Sequence, residues 1–289
     1  MTLKILVVQN TLSAYNIPLF EKIGRTRGVE LTLCSFDDEI SRTDYSSCFD
    51  SLGFAYVKLP RGNISSRISK IFGVSCPSPK LTGVIKQVSP DVIALDGLSS
   101  VGNACAIFLS RACKNIPIIW WSLGTIPERR SNYRSFIGDK LQKFFASKSA
   151  GIFSYGTHSK SYFENLGIDS NKIVVGYNTI DEVKVLEDIE CVSKDSVTSL
   201  RSELNIPQNH VVMIYCGRLV EGKRVDVLLS SLSEIKRTNT ENISLVVIGD
   251  GPERNMLQEL SSLLAIESNV VFVGQRYTDL SQYFLLGDF

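Results

Sequence analysis

Two basic residues, close together in the sequence, follow a short apolar run in the C-terminal part of the chain. Arg218 and Lys223 follow Gly217 and the run Val211–Cys216, and an amphipathic stretch begins at Val225. A glycine lets the backbone approach a ligand closely, and the free N–H groups of a helix N-terminus favour anions. Arginine supplies a planar fork of donors and lysine a point charge. These residues predict a diphosphate site, and a solvated basic turn is the less favoured alternative when they are taken alone.

Two glycine turns follow the next two apolar runs. Gly249-Asp250-Gly251 comes directly after 245–248, before Pro252. Gly251 can accept a positive φ and a close ligand. The run 269–273 ends at Val273-Gly274, where backbone groups could face a nucleobase. Taken singly, each turn is a weak signal.

Apolar runs alternate with helical patterns along the chain, which is typical of βαβ units in a parallel sheet covered on both faces. Predicted strands cover 4–9, 30–35, 56–59, 92–95, 116–121, 151–154, 172–175, 211–216, 244–248 and 269–273. Predicted helices cover 17–27, 81–89, 99–113, 133–147, 159–166, 196–204, 225–237, 252–265 and 280–286. Residues 182–195 are acidic and lack a clear apolar period. We therefore predict an α/β protein with a first doubly wound domain at 1–181, a linker at 182–195 and a second domain at 196–289. Open sheets of this kind bind ligands at the carboxyl ends of their strands.

The composition is that of an ordinary globular protein, with 44% hydrophobic and 21% charged residues. No window approaches the roughly 18 apolar residues that a membrane span needs, and no signal-peptide pattern is present. We expect a cytoplasmic protein with reduced cysteines. The two histidines, and seven cysteines without a CxxC pair, predict no metal site and no cofactor.

Charge divides unevenly along the chain. Residues 1–180 hold 21 basic and 13 acidic side chains, a net of +8, whereas residues 181–289 hold 10 and 17, a net of −7. Basic residues with apolar neighbours recur at 61–72 and at 129–148. Such segments suit the surface of an anionic membrane, and solvated basic faces are the alternative. No nucleic-acid-binding module is recognisable.

Taken together and in this order, the three glycine segments resemble the donor half of glycosyltransferase family 4. The residues that carry the resemblance are Gly217-Arg218-Leu219 with Lys223-Arg224, Gly249-Asp250-Gly251-Pro252, and Asn269-Val270-Val271-Phe272-Val273-Gly274. Three segments of the first half also resemble the family, namely Tyr15–Phe20 with Asn16 on the acceptor side, Ser159–Ile168, and Tyr177–Asp181. The resemblance implies the GT-B fold, with two Rossmann-like domains of which the second is incomplete.

The resemblance also implies a chemistry. Arg218 and Lys223 would bind the donor diphosphate and act in catalysis without a metal, and Gly217 would lie beside them. Gly251, Val273 and Gly274 would line the nucleoside. The reaction would transfer a sugar from a UDP- or GDP-type donor to an acceptor hydroxyl with retention, in surface polysaccharide or glycolipid biosynthesis. The implied partners are the donor, a lipid-linked or glycan acceptor and the inner face of the cell membrane.

The sequence departs from the family in two places. The first loop, Asn10–Ala14, has no glycine, and Ser122-Leu123-Gly124 stands where many members have a histidine. The carboxylate segment that members carry beyond the match to Leu286-Gly287-Asp288 is absent from this sequence. A non-catalytic remnant that binds nucleotide at most therefore stays open, as does a sugar-nucleotide epimerase. A dehydrogenase is disfavoured because the first loop lacks GxGxxG.

Overall fold

The computed structural model describes ten stretches of the chain. They are residues 2–12, 16–38, 52–60, 77–97, 101–110, 113–124, 133–177, 180–238, 242–276 and 279–289, with backbone alone at 133–137. The basic run at 61–72 and Arg129-Arg130 lie outside them. The chain forms two compact units, Met1–Asp181 and Glu182–Phe289.

The first unit is built on a seven-stranded sheet in which every pairing is parallel. Its strands are β1 Leu3–Leu12, β2 Val29–Asp38, β3 Ala55–Lys58, β4 Val92–Asp96, β5 Ile118–Ser122, β6 Gly151–Ser154 and β7 Ile173–Val175. Their order is β3-β2-β1-β4-β5-β6-β7. The order reverses between β1 and β4, which is the switch point of a Rossmann-like sheet.

Helices cover both faces of this sheet. They are α1 Ile17–Gly24, α2 Leu81–Val88, α3 Val101–Leu109, α4 Tyr133–Lys148 and α5 Thr157–Asn165. The core on one face includes Trp120, Phe145 and Phe163, and the core on the other face includes Phe20 and Trp121. The strands read as nearly continuous apolar runs because both of their faces are buried.

The second unit has a smaller parallel sheet in the order β10-β9-β8. Its strands are β8 Val211–Cys216, β9 Ile243–Ile248 and β10 Val270–Gly274. Its helices are α6 Glu182–Glu190, α7 Lys194–Glu203, α8 Val225–Thr238, α9 Arg254–Leu263 and α10 Leu280–Leu286. One core joins α8 and α9 to the sheet, and a second core joins α7 and α10 to it. The predicted α/β class with two doubly wound parallel sheets is thus confirmed.

Two predicted segments differ from the structure. The helix expected at 99–113 is α3, which ends at Leu109. The segment expected to be a linker, 182–195, is helical over Glu182–Glu190 and again from Lys194, and it groups with the second unit. Helix α6 packs against α10, and its Val185 and Ile189 are half-buried.

Candidate functional site

The carboxyl ends of the three strands of the second sheet meet along one edge. The amide of Gly217, just past β8, donates to the carbonyl of Ile248 at the end of β9 over 2.9 Å. The amide of Gly249 donates to the carbonyl of Gly274 at the end of β10 over 2.8 Å. The structure therefore brings together the three segments from which the sequence predicted a donor site.

The first two loops of this edge interlock through their backbones. Leu219 N–H donates to the Asp250 carbonyl over 3.0 Å, and Glu253 N–H donates to the Leu219 carbonyl over 3.2 Å. A Cβ at Gly251 would lie 2.2 Å from the Leu219 oxygen, and one at Gly249 would lie 1.9 Å from the Gly217 oxygen. Both positions therefore require glycine, because a side chain would displace the facing loop.

Gly251 does not use the positive φ that a glycine can accept. The glycines with positive φ on this edge are Gly249, with φ 140°, and Gly274, with φ 78°. At Gly251 it is the neighbouring Leu219 carbonyl that excludes a Cβ. Val273 and Gly274 are half-buried at the end of β10.

Arg218 and Lys223 are exposed on the loop that follows β8. Two short hydrogen-bonded turns join them: Val220 N–H donates to the Arg218 carbonyl over 3.1 Å, and Lys223 N–H donates to the Val220 carbonyl over 2.8 Å. Within the described residues, the structure gives neither side chain a hydrogen bond or an ion pair. Both cations are consequently available to an anion from solution.

The next cation in the sequence, Arg224, is already engaged. Its Nε and Nη2 donate to the two carboxylate oxygens of Asp226 over 3.1 and 3.0 Å. This pair lowers the pKa of the Asp226 carboxyl below its ordinary value. Arg224 also adopts a left-handed conformation, with φ 53° and ψ 40°, directly before α8. Arg224 therefore shapes the start of α8 and neutralises Asp226 there.

Arg254 is a residue of this edge that the sequence analysis did not single out. It begins α9, and its Nη2 donates to the Phe272 carbonyl of β10 over 3.3 Å, while Nη1 lies 3.6 Å from Asp250 Oδ2. A Cβ on Gly274 would lie 3.2 Å from the same Nη1. One guanidinium thus ties the turn after β9 to the end of β10. The spacing of Asp250 and Arg254, four residues apart at a helix start, was the only signal for it in the sequence.

Tyr215 supports the loop that carries Arg218. Its hydroxyl donates to the Arg218 carbonyl over 3.3 Å. A Cβ on Gly217 would lie 3.0 Å from that hydroxyl. Partial burial, together with the neighbouring Cys216, raises the pKa of Tyr215, so the hydroxyl keeps its proton as a donor at neutral pH.

In the first unit, Asn16 lies at the start of α1, beyond the carboxyl end of β1. It is half-buried, and its side chain makes no capping hydrogen bond to the helix.

At the end of β5, a polar network fixes the segment Ser122–Gly124. Gln142 accepts from Trp120 Nε1 over 2.8 Å and donates to Ser122 Oγ over 3.3 Å and to the Gly124 carbonyl over 3.4 Å. The loop that stands in place of the family histidine is thus held by buried hydrogen bonds.

Among the described residues, no group of three or more His, Cys, Asp or Glu side chains is arranged to hold a metal ion. None of the described helices is both long enough and apolar enough to cross a membrane.

Comparison with known proteins bears on both units. Residues 196–288 match the family model described as glycosyl transferases group 1. The chain is 26% identical over 99 residues to an alpha-monoglucosyldiacylglycerol synthase of Streptococcus pneumoniae, a match that covers 34% of this chain and 22% of that enzyme. It is 25% identical over 225 residues to a GDP-mannose-dependent alpha-mannosyltransferase of Corynebacterium glutamicum, covering 72% of this chain and 47% of that enzyme. The chain thus spans less than half the length of these two relatives.

A solved structure matches along nearly the whole chain. HepE of Anabaena, in complex with UDP and glucose, superposes with a TM-score of 0.69 at 18% identity, covering 99% of this chain and 73% of that one. At this identity the match shows the fold. The chain therefore has the GT-B fold, and its residues 196–288 carry the similarity to the group 1 glycosyl transferases.

Proposed function

We propose that this protein is a retaining glycosyltransferase, of the family 4 type, that transfers a sugar from a UDP- or GDP-type donor to an acceptor hydroxyl. The observation that carries the proposal is the unpartnered cation pair Arg218 and Lys223 on the strand-end edge of the second unit. This edge lies within the region that matches the group 1 family model.

The two cations would act on the leaving group. In glycosyl transfer from a nucleotide sugar, the bond between the anomeric carbon and the diphosphate oxygen breaks, and negative charge builds on the diphosphate. Positive groups already in place stabilise that charge where water is excluded, and removal of one such donor costs about 3–4 kcal/mol of barrier. Arg218 would hold two oxygens with its fork, and Lys223 would add a point charge.

The nucleoside would lie along the rest of the edge. Gly251, Val273 and Gly274 would line it, and the backbone could come close because two of these residues lack a Cβ. Arg254 would position this part of the site through its contacts with Phe272 and Asp250. UDP is the first nucleotide to test, because the HepE structure contains UDP, and GDP is the second, because the corynebacterial relative is named as GDP-mannose-dependent.

The acceptor would bind to the first unit, with Asn16 among its contacts. Asn16 lies beyond the end of β1, beside the switch point where open α/β sheets bind ligands. A lipid-linked or glycan acceptor in surface polysaccharide or glycolipid synthesis fits the net charge of +8 on residues 1–180 and the name of the streptococcal relative. Exposed Lys143 and Lys148 on α4, with Phe144 between them, would favour contact with the cytoplasmic face of an anionic membrane.

The test is nucleotide binding followed by turnover. Calorimetric titration and thermal shift with UDP, GDP and their sugars should show stabilisation by one nucleotide, about 2.7 kcal/mol at 100 times its dissociation constant. Arg218→Ala and Lys223→Ala should each lose most of that binding. The matched control is Arg237→Ala, at the far end of α8, where the arginine pairs with exposed Glu234. This variant should bind as the wild type does.

Product analysis then separates the alternatives. A glycoside that keeps the anomeric configuration of the donor supports the proposal, and a product with inverted configuration would contradict retention. Binding without product, for any donor and acceptor, would favour a nucleotide-binding protein. Unchanged binding in Arg218→Ala would overturn the site assignment.

A further inference from the structure

A cavity of about 410 Å³ opens at the edge of the first sheet that is opposite to its strand carboxyl ends. It lies between the last turns of α3 and α4 and the beginnings of β5, β6 and β7. Ligand pockets typically measure about 300–1,000 Å³, so this cavity can hold a small molecule. None of the residues predicted from the sequence to bind donor or acceptor lines it.

Three lysines from separate elements converge on this cavity. Lys114 comes from the connection before β5, Lys148 from the end of α4 and Lys172 from the turn before β7. No Asp or Glu is among the described residues that line it. All three lysines are exposed.

The local backbone charge has the opposite sign but is smaller. The helix C-termini of α3 and α4 point to this edge, and each contributes about half a negative charge. Three ammonium groups outweigh these two partial charges. Lys148 also lies over the ring of Phe144, with its ammonium 5.1 Å from the ring centroid.

We propose that this cavity binds a soluble phosphorylated small molecule, such as a hexose phosphate. Lysine ammonium groups bind phosphate as point charges. Ser110 and Ser147 line the same cavity, as do the apolar residues Phe108 and Ile116, so the lining offers polar and apolar contacts to the rest of the ligand. A concave, multi-element site favours a small ligand over a flat lipid surface. Because it lies away from the strand carboxyl ends, the site would serve as a regulatory site.

The experiment measures binding of inorganic phosphate and glucose 6-phosphate to the intact protein by titration calorimetry. We expect glucose 6-phosphate to bind more tightly than inorganic phosphate, and Lys114→Ala and Lys172→Ala each to weaken it roughly tenfold, the effect of about one lost charge-assisted hydrogen bond. The matched control is Lys160→Ala on α5, whose lysine pairs with Glu164 over 3.8 Å and does not line the cavity. Arg218→Ala should leave this binding unchanged.

Three results would overturn the proposal. Wild-type affinity in a variant lacking all three lysines would show that the cavity is not the site, and loss of binding only in Arg218→Ala would assign it to the nucleotide edge. Binding of the protein to vesicles of phosphatidylglycerol, lost in the lysine variants, without binding of either phosphate compound, would make the surface a membrane contact. Because the lysines are exposed, the lysine variants should fold as the wild type does. Circular dichroism spectra of the variants check this.

Discussion

At the scale of single residues, the strand-end edge of the second unit leaves no room for a Cβ at Gly249 or Gly251. We expect Gly251→Ala to weaken nucleotide binding at least tenfold, because its Cβ would lie 2.2 Å from the Leu219 carbonyl oxygen and push away the loop that holds Arg218. Overpacking of this kind typically costs about 1–3 kcal/mol of stability. Titration with the preferred nucleotide and urea unfolding measure the two effects.

The control for that change lies in the same loop. Gly222 has open space around an added Cβ and no positive φ, so Gly222→Ala should bind nucleotide and unfold as the wild type does. Equal losses in the two variants would contradict the interlocked-loop geometry.

Arg254 gives a second prediction at this scale. Arg254→Ala should weaken nucleotide binding severalfold, because it removes both the bond to the Phe272 carbonyl and the ion pair with Asp250. The stability loss should stay below about 1 kcal/mol, since Asp250 is 53% exposed and solvent screens the pair. Arg254→Lys keeps the charge without the fork and should recover only part of the affinity. Full recovery in the lysine variant would show that charge alone matters.

The sequence indicated which residue types meet at this edge, but not how they meet. Arg218, Lys223 and the glycines could be identified because each follows an apolar strand, and parallel strands end at one edge. Two details depend on atoms from distant segments: the role of Gly251 depends on the Leu219 carbonyl, and Arg254 reaches Phe272. No local pattern encodes such contacts.

At the scale of elements, one helix of the second unit ends with strain. Ala265 has φ 53° just after α9, where its amide donates to the Ser262 carbonyl and the next amide donates to the Ser261 carbonyl. A left-handed conformation costs alanine about 1–2 kcal/mol in the folded state. Glycine avoids that strain, but it lowers the free energy of unfolding by about 0.4–1 kcal/mol because it gives the unfolded chain more conformational entropy. Ala265→Gly should therefore stabilise the protein by roughly 0.5–1 kcal/mol, as read from urea unfolding.

Ser262→Gly is the paired substitution, three residues earlier within α9. Ser262 is exposed and helical, so glycine there should destabilise by about 0.5–1 kcal/mol. The two glycine variants should thus move in opposite directions, and a common direction would show that the backbone conformation does not control the effect.

Element boundaries were less predictable than element types. Residues 182–195 have an acidic composition with only a two-residue apolar face, Val185 and Ile189, so the sequence pattern did not indicate α6. Its partner, α10, lies almost a hundred residues later in the chain. Local periodicity is enough to predict a long amphipathic helix such as α8 from the sequence. A helix such as α6, which packs against a distant segment, can be recognised only from the tertiary structure.

At the scale of the whole molecule, burial of ionisable groups couples stability to pH. Burial raises the pKa of the Cys34 thiol, in the core of the first unit, from its ordinary value of 9.0 to about 12. Below pH 9 the thiol is neutral in both states and has no effect. Between pH 9 and 12 only the unfolded chain loses this proton, so the free energy of unfolding should fall by about 1.4 kcal/mol per pH unit from this group. Urea unfolding from pH 8 to 11 should show a shallower decline in Cys34→Ala, whatever its stability at neutral pH.

The two units have separate cores, and this separation sets the last prediction. Leu6 is fully buried in the first unit and Val246 in the second, and no described core cluster contains residues of both units. Leu6→Ala should cost about 2–5 kcal/mol, and Val246→Ala somewhat less because fewer atoms are removed. Hydrogen exchange followed by mass spectrometry should show faster exchange in strands β1, β2 and β4 for the first variant, and in β8, β9 and β10 for the second. Leu263→Ala, at an 83% exposed position, should leave exchange in both units unchanged. Uniform acceleration of all six strands in either core variant would mean that the units unfold as one cooperative body, and nucleotide binding to the second unit would then stabilise the first as well.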